Sequence, residues 1–100
     1  MSSSIRQIVI RGQVQGVGYR AWLEQQAVAR TIEGWVRNRR DGSVEALFAG
    51  EADIVSEMIA QCRRGPPLAR IEAIEEKPGD REGLNMRFKG ERFSVLSTSG

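Results

Sequence analysis

Between residues 5 and 11, Ile8 and Ile10 fall on one side of a two-residue repeat. Gln7 and Arg11 take the other side, with Val9 among the polar set. This alternation predicts a strand with one mainly apolar face. Residues 20–30 contain no glycine or proline and carry Ala, Leu, Glu and Gln, a helical composition. Leu23 and Ala27 lie one turn apart on the face expected to meet the core, with Trp22 beside them. Residues 32–38 read as a second strand, in which Val36 shares a face with Ile32, Gly34 and Asn38 while Trp35 points the other way. The run NRRDG (38–42) ends in Asp-Gly, a strong turn signal. Val44, Ala46 and Phe48 then alternate with Glu45, Leu47 and Ala49, completing a hairpin.

The second helix has the clearest pattern. Val55, Met58, Ile59 and Cys62 follow the i, i+3, i+4, i+7 spacing of one apolar stripe. Glu51 and Asp53 sit at its start and Arg63 and Arg64 at its end, as the helix dipole favours, and Gly65-Pro66-Pro67 stops it. Residues 68–76 predict a strand with Ile71 and Ala73 in phase and Ile74 out of phase; residues 77–85 read as a loop. Met86 to Phe88 fits no single pattern, and Phe93-Ser94-Val95 suits a short last strand. Residues 1–4 and 97–100 are small and polar for the most part and read as loose ends of a single domain spanning 1–100.

The resulting order is strand, helix, strand, strand, helix, strand, plus a short strand. It predicts an α/β (α+β) fold, a ferredoxin-like βαββαβ sandwich: a mainly antiparallel sheet, two helices on one face and a short extra C-terminal strand. That architecture hosts enzymes, RNA binders and regulatory modules, so it leaves function open.

Composition narrows the choice. The chain has no histidine, which excludes Ser-His-Asp and Cys-His catalysis and removes the commonest metal ligand. Cys62 is the lone cysteine, so no internal disulfide framework exists and a zinc site lacks ligands. No apolar run is long enough for a membrane span, and MSSSIRQ lacks the apolar stretch of a secretion signal; both point to a cytoplasmic protein. The formal charge of +2 is too small to indicate nucleic-acid binding.

The chemistry concentrates in GQVQGVGYR, residues 12–20. A strand enters this run and a helix leaves it. Glycines let neighbouring N–H groups converge, a helix start has unpartnered N–H groups, and the planar guanidinium of Arg20 matches two phosphate oxygens. The alternative is a tight strand-to-helix turn that needs glycine and nothing more. Residues 16–21 also match a dinucleotide fingerprint, but the second strand ends at Asn38 between Arg37 and Arg39 rather than at an acid. A Walker motif fails for want of Gly-Lys-Ser or Gly-Lys-Thr. Asn38 is either a turn asparagine or an amide that positions water beside the anion. Cys62 belongs to the apolar stripe, Trp35 to packing, and Arg39 and Arg40 to a solvated loop.

The run from Gly12 to Arg20, G-x-V-Q-G-V-x-[aromatic]-R, resembles the signature of the acylphosphatase family. GWVRNRRDGSVEALFAG (34–50) and RRGPPLARIE (63–72) are similar to the family in the same order. The resemblance implies hydrolysis of the carboxyl-phosphate bond of small acyl phosphates by water, with neither a metal nor a cofactor. It places the phosphate cradle on the backbone of Gln15, Gly16, Val17, Gly18, Tyr19 and Arg20. Arg20 and Asn38 become the catalytic residues. Inorganic phosphate becomes product and inhibitor of a monomer that engages neither nucleic acid nor membrane. The family more often has phenylalanine where this chain has Tyr19, whose hydroxyl needs a partner if buried. The competing expectation is a non-catalytic ferredoxin-like module that binds RNA or a small anion.

Overall fold

The computed structural model describes residues 2–99; the expected loose ends at Met1 and Gly100 lie outside them. Strand β1 (Ser3–Gln13) enters the glycine loop, and helix α1 (Tyr19–Ala29) leaves it. β2 (Glu33–Asn38) and β3 (Val44–Glu51) form the expected hairpin, with Asn38 opposite Val44 in the last pair before the turn. Helix α2 (Ala52–Arg64) follows, then β4 (Arg70–Pro78), a short helix α3 (Arg81–Leu84) and β5 (Phe93–Val95). The sheet order is β4-β1-β3-β2-β5, antiparallel at every neighbouring pair except β2–β5, which is parallel.

Ile8, Ile10, Val36, Val44, Ala46 and Phe48 present one sheet face to α1, through Leu23 and Ala27, and to α2, through Val55, Met58, Ile59 and Cys62. All of these are buried, and each large side chain contributes on the order of 1.5–3 kcal/mol relative to exposure. Burial also pushes the Cys62 thiol up to about 12, as fits a packed rather than a reactive cysteine. On the opposite face Trp35, Leu47 and Ala49 are covered by Leu84 and Leu96, and Trp35 Nε1 donates to the Gly83 carbonyl at 2.8 Å.

Several expectations need correction. Ser3 and Ser4 are not loose but pair with Glu51 and Gly50. Nor is Ser99 loose: it follows the buried Leu96, its amide donates to the Asn38 carbonyl at 2.9 Å and its carbonyl accepts from the Arg40 amide at 2.9 Å. The expected loop over 77–85 contains the end of β4 and all of α3, whose N-cap Asp80 accepts from the Gly83 amide at 2.7 Å.

β4 starts at Arg70, and its pattern is broken by a bulge. Arg11 pairs with Ala73 but the next residue, Gly12, pairs with Ile71, so Glu72 is the extra residue. The slip puts Ile71 and Ile74 together against the helix-side core and leaves Ala73 exposed. Gly12 sits opposite this slip at φ +133, where a Cβ would lie 2.1 Å from the Arg70 carbonyl oxygen. Gly12→Ala is therefore expected to cost about 3 kcal/mol or more, read as a lower urea midpoint at unchanged slope.

Candidate active site

The loop between β1 and α1 turns through Gly16 and Gly18, at φ +75 and +80. A Cβ at either position would meet nothing within 4 Å, so glycine is needed there for its left-handed backbone, and the side it leaves bare is open. Gly18 is the N-cap of α1 and offers no side chain to cap the first N–H groups. Arg20 stands in that first turn, partly exposed. Arg11, Arg37 and Arg63 are engaged by carboxylates. Among the described residues no carboxylate reaches Arg20, which leaves its guanidinium available to an anion.

Across the cleft, Asn38 closes β2. Its carbonyl is held by Ser99, as above, but its side-chain Oδ1 is buried with no hydrogen-bond partner among the described residues. A buried amide oxygen of this kind calls for a donor, such as water. The turn that follows Asn38 is fixed locally. Asp41 Oδ1 accepts from the Ser43 amide at 2.9 Å and from the Ser43 hydroxyl. These two bonds, hydroxyl first, hold the Asp41 carboxyl down to about 2. A depressed carboxyl stabilises the folded state above its unfolded value, roughly pH 4, and the benefit is lost as pH falls through the folded one. The Asp41 carboxyl is accordingly expected to titrate near pH 2 by NMR, and Asp41→Asn to flatten the acid limb of the stability curve.

The side chain of Gln15 lies between loop and turn, with Nε2 donating to the Arg39 carbonyl at 2.7 Å and to the Ser43 carbonyl at 2.8 Å. Tyr19 is buried, and its hydroxyl finds the required partner in the Cys62 carbonyl at 2.7 Å, tying the start of α1 to the end of α2. Burial moves its phenol well above the ordinary range, so it stays neutral.

Gln15, Gly16, Gly18, Tyr19, Arg20 and Asn38 line one cleft of 370 Å³. Of the residues singled out from sequence, Val17 does not line it and packs against the core instead. Four lining residues escaped the sequence reading: Val14, Ala21, Glu24 and Val95. Glu24 carried a signal, since it lies one turn beyond Arg20 on the same helix face. Val95 carried none, because its place depends on parallel pairing of β5 with β2.

A larger depression of 450 Å³ opens elsewhere, lined by residues that include Arg11, Arg37, Glu45 and Glu75. Two of its arginines are already paired within it: Arg37 Nε meets Glu45 at 2.8 Å and Arg11 Nε meets Glu75 at 2.9 Å. Neither Trp35 nor Phe48, the aromatics an RNA-binding sheet would display, is exposed.

A family model described as Acylphosphatase matches residues 6–90. The chain is 61% identical over 98 residues to an acylphosphatase of Rhodopseudomonas palustris strain ATCC BAA-98 / CGA009, covering 98% of this chain and 99% of the relative. It is 58% identical, with the same coverage, to an acylphosphatase of Bradyrhizobium diazoefficiens. Among solved structures it is similar to the acylphosphatase from Bacillus subtilis, at a TM-score of 0.80 and 29% identity over 95% of this chain and 99% of that one. With its sheet order, its glycine loop and these similarities in agreement, the chain belongs to the acylphosphatase family.

Proposed function

We propose that this chain hydrolyses the carboxyl-phosphate bond of small acyl phosphates in the cleft between the β1–α1 loop and the end of β2. The phosphoryl oxygens rest on main-chain N–H groups from Gln15 to Arg20 and on the Arg20 guanidinium. Water donates one hydrogen bond to Asn38 Oδ1 and is thereby aimed at phosphorus, opposite the acyl oxygen. A bond forms from the water oxygen to phosphorus as the bond from phosphorus to the acyl oxygen breaks. The water proton passes to a non-bridging phosphate oxygen. The carboxylate leaves without a general acid because its conjugate acid has a pKa of roughly 4. Position and charge supply the rate, so the absence of histidine is no obstacle and no metal is required.

The observation that carries this reading is that Asn38, whose buried Oδ1 has no partner among the described residues, lines the same cleft as the uncommitted Arg20. Val14, Ala21 and Val95 add apolar lining to that cleft, which suits a small acyl group. Every residue in the scheme comes from one chain, which suits a monomer. Among the described residues no helix is long and apolar enough to cross a membrane, and the proposed setting is the cytoplasm. The burial of Trp35 and Phe48 favours hydrolysis over an RNA-binding role.

The test is phosphate release from acetyl phosphate in the presence of chelator. Turnover should persist, and inorganic phosphate should inhibit it competitively, because product and substrate share the cradle. No phosphate release, or release abolished by chelator and restored by metal, would overturn the scheme.

A further inference from the structure

Both hydrogens of Gln15 Nε2 are spent on main-chain carbonyls, those of Arg39 and Ser43. The side chain therefore has only its acceptor Oε1 left and nothing to donate to a phosphate. Nor does the turn need Gln15 in order to close. The Arg39 carbonyl already accepts from the Gly42 amide at 3.2 Å, and the Ser43 carbonyl from the Arg39 amide at 2.9 Å. A carbonyl has two lone pairs and accommodates both donors. The Gln15 bonds are additional, and what they add is a connection between the glycine loop and the residues directly after Asn38.

We infer that Gln15 is a positioning residue. Its side-chain amide clasps the phosphate loop to the β2–β3 turn and so sets the distance between the cradle and the Asn38 carboxamide. The strand end is gripped from two sides, by Gln15 through Arg39 and by the Ser99 amide on the Asn38 carbonyl. Gripping the strand end in this way fixes the place from which the Asn38 carboxamide aims the attacking water. In-line attack is sensitive to that place, since misplacement by about 1 Å can cost about a hundredfold in rate. The inference rests on the hydrolytic reading above, and acts on kcat rather than on phosphate affinity.

The experiment combines Gln15→Ala and Gln15→Glu with Asn38→Ala, reading kcat on acetyl phosphate and inhibition by inorganic phosphate. Gln15→Glu is isosteric but turns a carboxylate toward two carbonyls, so it opens the clasp without removing bulk. Each Gln15 variant should lower kcat about tenfold to a hundredfold in the parent. In the Asn38→Ala background the further loss should be less than about twofold, because residues acting through one another are not additive. In Gln15→Ala the inhibition constant for phosphate should rise less than about threefold, as the amides and Arg20 stay on their own loop and helix. The carboxylate of Gln15→Glu repels phosphate by its charge, so that variant is read on kcat alone. An equal loss in both backgrounds would overturn the inference, as would an inhibition constant of Gln15→Ala rising in step with its fall in kcat. If Asn38→Ala is slow while both Gln15 variants run at the parent rate, the clasp alone is wrong. If Asn38→Ala itself runs at the parent rate, the hydrolytic scheme fails and the clasp with it.

Discussion

Arg20→Ala is expected to lower kcat/KM for acetyl phosphate by about a thousandfold or more, the scale at which arginines stabilise phosphoryl transfer. The loss should appear in binding as well as in turnover. In the proposed scheme the guanidinium faces a doubly charged group in the ground state and the same charge, redistributed, in the transition state. Inorganic phosphate should therefore inhibit the variant far less well. Arg20→Lys separates charge from shape: an ammonium keeps the positive charge but not the planar pair of donors, and recovery should be partial at best. Stability should hardly change in either variant, because Arg20 has no carboxylate partner among the described residues to lose. Steady-state kinetics with phosphate inhibition and a thermal melt distinguish these effects. A phosphate inhibition constant equal to the parent's would remove Arg20 from the cradle.

Asn38→Ala should behave differently. Its kcat should fall by about a hundredfold to a thousandfold, comparable to the loss of one well-placed hydrogen-bonding group in a reaction centre. Phosphate inhibition should stay close to that of the parent. The variant should be at least as stable as the parent, because it removes a buried acceptor that has no partner. A residue whose loss leaves the fold intact and slows turnover is held for chemistry rather than for packing. Asn38→Asp adds a useful contrast: the acceptor remains, but a second negative charge beside the phosphate should weaken inhibition too. Parent-level turnover by Asn38→Ala would assign the asparagine to the turn alone.

The glycine loop was legible because its requirement is compositional: only glycine takes the left-handed backbone at residues 16 and 18 readily. The hairpin and the α2 stripe were legible because their periodicities are local. Ile74 misled because alternation assumes an uninterrupted strand, and the bulge at Glu72 shifts the phase by one residue. α3 escaped because a single turn lacks a period; its only signal was Asp80 ahead of it. The burial of Leu96 depends on Trp35 and Leu84, distant in sequence, and leaves no pattern in residues 96–99. Asn38 could be read as a turn residue, but its orphaned oxygen could not, because that is a property of everything around it. Gln15 was the least legible. Its partners are main-chain carbonyls, which every residue has, so nothing in the sequence marks Arg39 and Ser43 as its targets.

The irregularity in β4 also bears on how these molecules meet one another. β4 is an outer strand of the sheet, and β5, at the other rim, spans only Phe93–Val95. A long flat rim invites another chain to zip onto it, but here the row is broken at Glu72, crowded with Glu75, Glu76 and Lys77, and ended by Pro78. Self-association through β4 is thus disfavoured by the same slip that Gly12 makes room for. A variant that straightened this rim would offer neighbouring molecules a longer unpaired edge.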